Sequence, residues 1–274
     1  MVGRRFWKMS GSGNDFIFFN ALIDPPGRLA SPSAIASLCE RRTGIGADGV
    51  VFLEPHATLP FMMRYYNRDG SLAEMCGNAA LCSTRLAADL GIASSGNVTF
   101  DTVSGPVTGR IVNGGPEVDM VRVTELQPSI DIPLHSGERR VGFARVGVPH
   151  LVLLVDDVGT VRVFERGREL RTLPSLRDGA NVNFVSRTSD GRWSLRTYER
   201  GVEEETLACG TGSVAVAAIL QAWGLSDGAV SLQTRSGCDL VASVPPASST
   251  SPPVLRGEGR IVFEGTLGDV AAVE

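Results

Sequence analysis

The sequence predicts an α+β protein made of two pseudo-symmetric halves, each a curled, mostly antiparallel sheet around a central helix. Three observations support this class. The 274 residues are 43% hydrophobic and 20% charged, as in ordinary packed globular proteins. Several short residue matches, called landmarks below, recur at a fixed spacing along the sequence. Strand-like segments are separated by turns, and each half carries one helical segment of nearly all small and apolar residues.

Four landmarks recur in the same order 133 residues later. The pairs are Gly46-Ala47 with Gly179-Ala180, Tyr65 with Tyr198, Cys76-Gly77 with Cys209-Gly210, and Gly91 with Gly224. Four ordered matches indicate a duplicated unit. We predict an N-terminal half over 1–121, joined by 258–274, and a C-terminal half over 122–257, with the active site in the cleft between them.

The first half shows clear helix signals. Ser31 is a suitable N-cap and Pro32 a suitable first helical residue, and Gly91 can end a helix that starts at Gly77. The predicted elements of this half are strands over 15–22, 50–54 and 61–66 and helices over 31–41 and 77–90.

The second half repeats this order of elements. The predicted elements are strands over 151–155, 183–186, 195–198, 229–234 and 240–244 and helices over 164–170 and 211–223. The acidic run 203–205 is expected to be a solvated loop. A strand over 260–266 is expected to return to the first half.

Composition excludes several classes of function. With 26 basic and 30 acidic residues, the chain has no excess positive charge for nucleic acid or an anionic membrane surface. No apolar run is long enough for a membrane helix or a signal-peptide core. Five cysteines and three histidines without close pairing favour reduced thiols and no metal site. We expect a soluble, cytoplasmic protein.

Two cysteines stand out because each precedes a glycine at the start of a buried helix. Cys76 and Cys209 would lie at the positive end of a helix dipole, which favours a thiolate or a bound carboxylate. The glycine leaves the backbone amides accessible. Two such thiols suit inversion at an α-carbon, where one base and one acid act on opposite faces. Cys39, Cys82 and Cys238 receive no role.

A cofactor is not expected. Lys8 is the only lysine, and no phosphate-binding loop lies near it, which argues against a pyridoxal phosphate Schiff base. Hydrogen bonds from the helix termini to the substrate carboxylate would instead stabilise the carbanion. The glycine pattern at 44–49 fits a dinucleotide-binding spacing, but it follows a helix and enters a strand, the reverse of the required order. We therefore exclude a nicotinamide site.

Short motifs lie in order across nearly the whole chain. They are MSGSGNDF at 9–16, TGIGADG at 43–49, NRDG at 67–70, EMCGN at 74–78, GVPH at 147–150, NVNF at 181–184, YERG at 198–201 and ACGTG at 208–212. In combination they resemble the diaminopimelate epimerase family. The resemblance implies a pyridoxal-independent enzyme, usually a homodimer, that interconverts LL- and meso-diaminopimelate in bacterial lysine and peptidoglycan-precursor synthesis.

The resemblance also implies roles for individual residues. Cys76 and Cys209 match the acid and base, and His150 and Glu199 match positions that tune the thiols. The positions implied to contact a small diamino-dicarboxylate substrate are Asn14, Asn67, Gly77, Asn78, Asn181, Glu199, Arg200, Gly210 and Thr211. Arg200 suits the distal carboxylate through its bidentate geometry.

Two positions depart from the family pattern. Val148 stands where an Asn is often found and Gly49 where a Gln is frequent. Because neither side chain can form a hydrogen bond, a racemase or epimerase of another amino acid, such as proline or histidine, is an open alternative. Another is a non-catalytic protein in which Cys76 and Cys209 form a redox-responsive disulfide. A hydrolase is less favoured because it would leave one cysteine without a role.

Overall fold

The computed structural model describes residues 3–93, 96–246 and 248–268. The chain forms two compact units, Met1–Val118 with Gly257–Glu274, and Asp119–Arg256. Both units contain sheets and few helices, which confirms the predicted α+β class. Within the three described ranges, no helix is long and apolar enough to cross a membrane.

The described residues form strands β1 to β18 and helices α1 to α4. The strands are β1 (Arg5–Gly11), β2 (Asn14–Asn20), β3 (Gly49–Glu54), β4 (Met62–Asn67), β5 (Leu72–Ala73), β6 (Asn97–Phe100), β7 (Val107–Val112), β8 (Gly115–Asp119), β9 (Val123–Gln127), β10 (Glu138–Val146), β11 (Val148–Val155), β12 (Asn181–Arg187), β13 (Trp193–Glu199), β14 (Glu204–Thr206), β15 (Val230–Gln233), β16 (Asp239–Ser243), β17 (Val254–Arg256) and β18 (Arg260–Thr266). The helices are α1 (Pro32–Cys39), α2 (Gly77–Asp89), α3 (Val163–Arg171) and α4 (Gly210–Ala222).

The first unit is built on the sheet β18-β1-β2-β3-β4-β5, in which only β2 and β3 run parallel. Strands β6, β7 and β8 form an antiparallel meander. Helix α2 packs against β1, β4, β7 and β18, and α1 packs against β3. The layer under α1 is apolar and includes Ile17, Phe19 and Phe52. This apolar layer therefore holds α1 on the sheet.

The second unit has the same plan. Its strands follow the order β9-β10-β11-β12-β13, β14 pairs with β13, and β11 and β12 run parallel. Helix α4 packs against β9, β10, β11, β12, β16 and β17, and α3 against β12 and β13. Since α2 and α4 begin 133 residues apart and have the same length, each unit holds one equivalent buried helix.

The strand register corrects one of the predicted landmark pairs. Tyr66 pairs with Val50, Tyr198 pairs with Val182, and both tyrosines pack against the apolar layers under α1 and α3. Tyr198 therefore corresponds to Tyr66, and its match with Tyr65 was wrong. The first unit has one more residue between its Gly-Ala turn and β3 than the second unit has between its Gly-Ala turn and β12.

The acidic run near residue 204 also differs from the prediction. Glu204–Thr206 form strand β14 beside β13. The Glu205 side chain is only 10% exposed, and it accepts two hydrogen bonds, of 2.7 and 2.8 Å, from the Arg196 guanidinium. The prediction of a solvated loop was therefore wrong for Glu205, whose carboxylate is neutralised by an arginine on the neighbouring strand, whereas Glu203 does lie in an exposed turn and Glu204 is exposed.

Candidate functional site

Cys76 lies at the N-cap of α2. Its backbone is extended, with φ −138°, and its carbonyl accepts the first helical hydrogen bond, from Ala80 N at 2.9 Å. The thiol is half-buried and does not cap the helix, whereas Gly77 and Asn78 are buried. The first amides of a helix have no intrahelical acceptor, so this end suits an anionic ligand.

Cys209 occupies the same position at the start of α4. Its backbone is extended in the same way, with φ −128°, and its carbonyl accepts from Ser213 N at 3.0 Å. The residue is 7% exposed, and its Sγ lies 3.6 Å from Thr211 Oγ1. The two units thus present a cysteine in one local conformation at two equivalent helix ends.

Asn14 and Asn78 are brought together in the first unit. Asn78 Nδ2 donates to Asn14 Oδ1 at 2.7 Å, and Asn14 Nδ2 donates to Asp48 Oδ2 at 3.1 Å. Arg41 holds Asp48 through a 2.8 Å ion pair. Asn78 is 2% exposed, and its Oδ1 has no hydrogen-bond partner among the described residues. This oxygen is therefore suited to accept a hydrogen bond from a ligand.

The single lysine is committed to an ion pair. Lys8 is 6% exposed, its Nζ lies 2.6 Å from Asp15 Oδ2, and it also donates to the carbonyl of Gly46. Burial raises the pKa of the Asp15 carboxyl, but hydrogen bonds from Arg41 and Lys8 outweigh this and lower it below its usual value. The ammonium group thus ties β1 to the turn before β3.

Asn67 closes a turn at the end of β4. Its Nδ2 donates to Ser71 Oγ at 3.0 Å, and its backbone N–H donates to the Ser71 carbonyl at 2.9 Å. Across the strand pair lies Gly49, where a Cβ would overlap the Tyr65 ring and the Tyr66 carbonyl oxygen. The departure at Gly49 is therefore required by the packing of β4 in this chain.

Asn181 and Arg200 lie together in the second unit. Asn181 Oδ1 accepts from the Arg200 backbone N–H at 2.8 Å, and the guanidinium donates to the Asp178 carbonyl at 2.9 Å. In the parallel pair β11 and β12, Asn181 stands beside His150. Val148 is the first residue of β11, two positions from His150 and on the same face of the strand.

Glu199 joins Cys209 at the end of β13. Its Oε1 accepts from Thr206 Oγ1 at 2.5 Å, and the Cys209 thiol donates to its carboxylate. Burial raises the pKa of Glu199, and the hydrogen bonds from Thr206 and Cys209 offset part of that increase. A carboxylate with a raised pKa beside a thiol can take up the thiol proton.

His150 is fully buried in β11. Burial and, to a smaller extent, the charge of Arg200 lower its pKa from 6.5 to about 3, so the ring is neutral near neutral pH. Its Nδ1 lies 3.3 Å from Asn183 Nδ2. Its Nε2 is buried and has no hydrogen-bond partner within the described part of the chain.

Comparison with known proteins decides the family. A family model described as diaminopimelate epimerase matches residues 6–125 and 142–251. The chain belongs to the diaminopimelate epimerase family. Relatives that carry this name include a protein of Gemmatimonas aurantiaca, 46% identical over 96% of this chain and 98% of its own length. Another, from Aquifex aeolicus, is 35% identical over the same shares.

Solved structures share the fold at low identity. A phenazine biosynthesis protein of the PhzF family from Enterococcus faecalis has a TM-score of 0.75 at 15% identity, covering 97% of this chain and 100% of its own. A probable proline racemase from Agrobacterium radiobacter K84 has a TM-score of 0.66 at 18% identity, covering 98% of this chain and 94% of its own. These likenesses establish the two-domain fold alone.

Sequence reasoning missed several polar residues around these groups. They are Asp48 and Arg41 behind Asn14, Thr206 beside Glu199, and Asn183 beside His150. Asp48 and Asn183 lie inside the family motifs, so the sequence could have marked them as site residues. Arg41 and Thr206 lie outside them, and no pattern in the sequence marks their partners.

Proposed function

We propose that the protein is a cofactor-independent epimerase that interconverts LL- and meso-diaminopimelate, with Cys76 and Cys209 as acid and base. The observation that carries the proposal is the equivalent placement of the two cysteines. Each is the N-cap of the matching buried helix in its unit, in a chain of the diaminopimelate epimerase family.

The helix ends would bind the reacting α-carboxylate. The backbone amides at Gly77, Asn78, Gly210 and Thr211 belong to the first turns of α2 and α4, where the dipole favours negative charge. As the α-proton leaves, charge moves onto this carboxylate, and preorganised amides stabilise it. The buried Oδ1 of Asn78 would accept from the substrate's ammonium group.

Three proton transfers would complete the inversion. Glu199 takes the Cys209 proton, the resulting thiolate removes the α-proton from one face, and the Cys76 thiol donates a proton to the opposite face. The reverse reaction exchanges the two roles. His150, which is buried and neutral near neutral pH, would adjust the acidity of the thiols. The ion pair of Lys8 with Asp15 supports a mechanism without a Schiff base.

The remaining polar residues would recognise the distal part of the substrate. Arg200 suits the distal carboxylate because its guanidinium can donate two parallel hydrogen bonds. Asn14, Asn67 and Asn181 supply amide groups for the distal ammonium and the carboxylates. A diamino-dicarboxylate is the substrate class whose two ammonium and two carboxylate groups can bind to all of these residues.

The protein would act as a cytoplasmic homodimer in lysine and peptidoglycan-precursor synthesis. Within the described residues no disulfide joins any of the five cysteines, which suits a reducing compartment. Strand β18 lies at the edge of its sheet and exposes Val262 and Phe263, 46% and 47% accessible. An apolar edge strand of this kind suits contact with a second copy.

The test is isotope incorporation. LL-Diaminopimelate incubated with the protein in deuterated water, with no added cofactor, should give meso product labelled at one α-carbon. Cys76→Ala and Cys209→Ala should each abolish inversion and leave the circular dichroism spectrum unchanged. Cys82→Ala and Cys238→Ser should retain most of the inversion activity. Absence of both inversion and label in the unsubstituted protein would refute the proposal.

Epimerisation of another amino acid is the second candidate, and the apolar residue Val148 favours it. Proline, histidine and LL-diaminopimelate should be compared by kcat/KM in the same assay. We expect the highest value for LL-diaminopimelate, because Arg200 and the amides require a distal charged group. A higher value for proline or histidine would select the alternative.

A further inference from the structure

We infer that Asn183 is a positioning residue that fixes His150 as the Nε2–H tautomer, so that His150 offers a hydrogen-bond donor rather than a basic nitrogen. The tautomer itself follows from contacts within the second unit. Its consequence for catalysis rests on the proposed epimerase function.

The orientation of the Asn183 amide is set at both ends. Asn183 is fully buried, and its Nδ2 lies 2.9 Å from the Leu151 carbonyl oxygen. A carbonyl can only accept, so the amide nitrogen must be on this side. Its Oδ1 accepts from Thr197 Oγ1 at 3.1 Å. The reversed amide would place two oxygens against each other, and the network excludes it.

The amide orientation dictates the histidine tautomer. The second N–H of Asn183 Nδ2 points to His150 Nδ1 at 3.3 Å, so Nδ1 must offer a lone pair. A neutral imidazole then carries its only proton on Nε2. Burial keeps the ring neutral near neutral pH, and the charged group that acts on it is Arg200, which opposes protonation.

The same amide lies against the start of α4. A Cβ at Gly212 would overlap Asn183 Oδ1 and would lie 3.2 Å from Cys209 Sγ. The last glycine of the ACGTG motif therefore leaves space for Asn183 beside the cysteine helix. Asn183 thus contacts β11, β13 and α4, and movement of its amide is blocked from three elements.

The free group of His150 is consequently a buried N–H donor. Such a donor suits an acceptor with negative charge, either a thiolate sulfur or a carboxylate oxygen of the substrate. To accept a proton at Nε2, the ring would first have to move its proton to Nδ1, where it would face the amide donor of Asn183. His150 therefore stabilises an anion in the site and does not act as a general base in this state.

The test is long-range proton–nitrogen NMR of protein labelled with ¹⁵N-histidine, with the His150 signals assigned by their loss in His150→Gln. We expect the Nδ1 signal in the unprotonated range and the Nε2 signal in the protonated range, unchanged over about pH 5 to 8. A protonated Nδ1 in the unsubstituted protein would overturn the inference. This readout needs no substrate, so it stands apart from success or failure of the epimerase assay.

Two variants distinguish the effect of Asn183 on the His150 tautomer from an effect on packing. In Asn183→Asp the carboxylate can only accept, so His150 should acquire a proton on Nδ1. In Thr197→Val the Asn183 nitrogen keeps both of its acceptors, so the tautomer should stay the same. The pH profile of kcat/KM should gain an ionisation only in Asn183→Asp. An unchanged tautomer in folded Asn183→Asp would show that Asn183 does not set it.

Discussion

Burial keeps two of the five cysteines in the thiol form. Burial raises the pKa of the Cys39 thiol to about 12 and that of Cys82 well above its usual value, so both remain protonated near neutral pH. Thiolates, not thiols, are the nucleophilic and basic species. The sequence interpretation that gave these two cysteines no role therefore has a physical basis in the structure.

His150 should make the protein less stable in acid. Its pKa is 6.5 when exposed and about 3 in the folded state, so between these values only the unfolded chain binds the proton. The free energy of unfolding should fall with decreasing pH across this window, by about 1.4 kcal/mol per pH unit from this group. Above pH 6.5 the contribution is constant.

Urea unfolding at a series of pH values measures this effect. His150→Gln should show a shallower loss of stability between about pH 6 and 4 than the unsubstituted protein. His135→Gln is the control, because the His135 side chain is 55% exposed. Equal slopes for His150→Gln and the unsubstituted protein would contradict the folded-state pKa.

At the residue scale, the sequence predicted the functional side chains that belong to motifs. It did not predict the residues that form hydrogen bonds with them. The positions of Cys76 and Cys209 at helix starts were predicted because a cysteine and a glycine before an apolar run form a local pattern. The partner of Asn14 was not predicted, since Asp48 lies 34 residues away in the turn before β3. Hydrogen-bond direction, as at Asn183, depends on atoms that only folding brings together.

At the scale of elements, a buried ion pair joins α3 to β10. Arg166 forms two 2.8 Å hydrogen bonds with Glu138, and both side chains are below 10% exposed. Arg166 also donates to the Pro133 carbonyl at 2.8 Å. Geometry of this quality offsets the cost of burying two charges. The contact therefore fixes α3 on its sheet.

Removal of one member of this pair should be costly. Glu138→Ala leaves the Arg166 guanidinium buried without its main partner, and we expect a loss of about 3–5 kcal/mol in the free energy of unfolding. Asp156→Ala is the matched control, because it breaks the exposed pair with the next residue of β10, Arg139. Denaturant unfolding should show little change for the control. A similar small loss for Glu138→Ala would refute the assigned role.

Elements with strong local signals were predicted to within a few residues, and others were missed. The bounds of α2 and α4 differ from the predicted ones by one residue at most. Strand β8 was missed because it contains Gly, Pro and two acidic residues, and β9 because it is short and includes Glu and Gln, which disfavour the strand pattern. Their pairing partners hold them in place, and local sequence carries no sign of those partners.

At the scale of the whole molecule, the duplication is visible in the sequence but its register is not. The fixed spacing predicts two equivalent helices, and the structure has them. The one-residue difference before β3 is invisible to landmark matching, because Tyr65 and Tyr66 are both tyrosines. The strand predicted over 260–266 is present as β18 and pairs with β1 along its length.

Loss of β18 should unfold the first unit. A chain that ends at 256 would leave β1 without its neighbour and remove the contact of Phe263 with Phe6, whose ring centroids are 6.1 Å apart. We expect this truncation to be digested within residues 3–93 by limited proteolysis, while a chain that ends at 268 resists. Equal resistance of both truncations would contradict the role of β18.

The pairing of β18 with β1 has a consequence for how the polypeptide is made. During synthesis on the ribosome, strand β1 emerges before the second unit, and its outer neighbour β18 emerges only after the second unit has been translated. The second unit is contiguous and can close its own sheet earlier. The first unit, whose strand β1 is translated earlier, is thus the last of the two to finish folding.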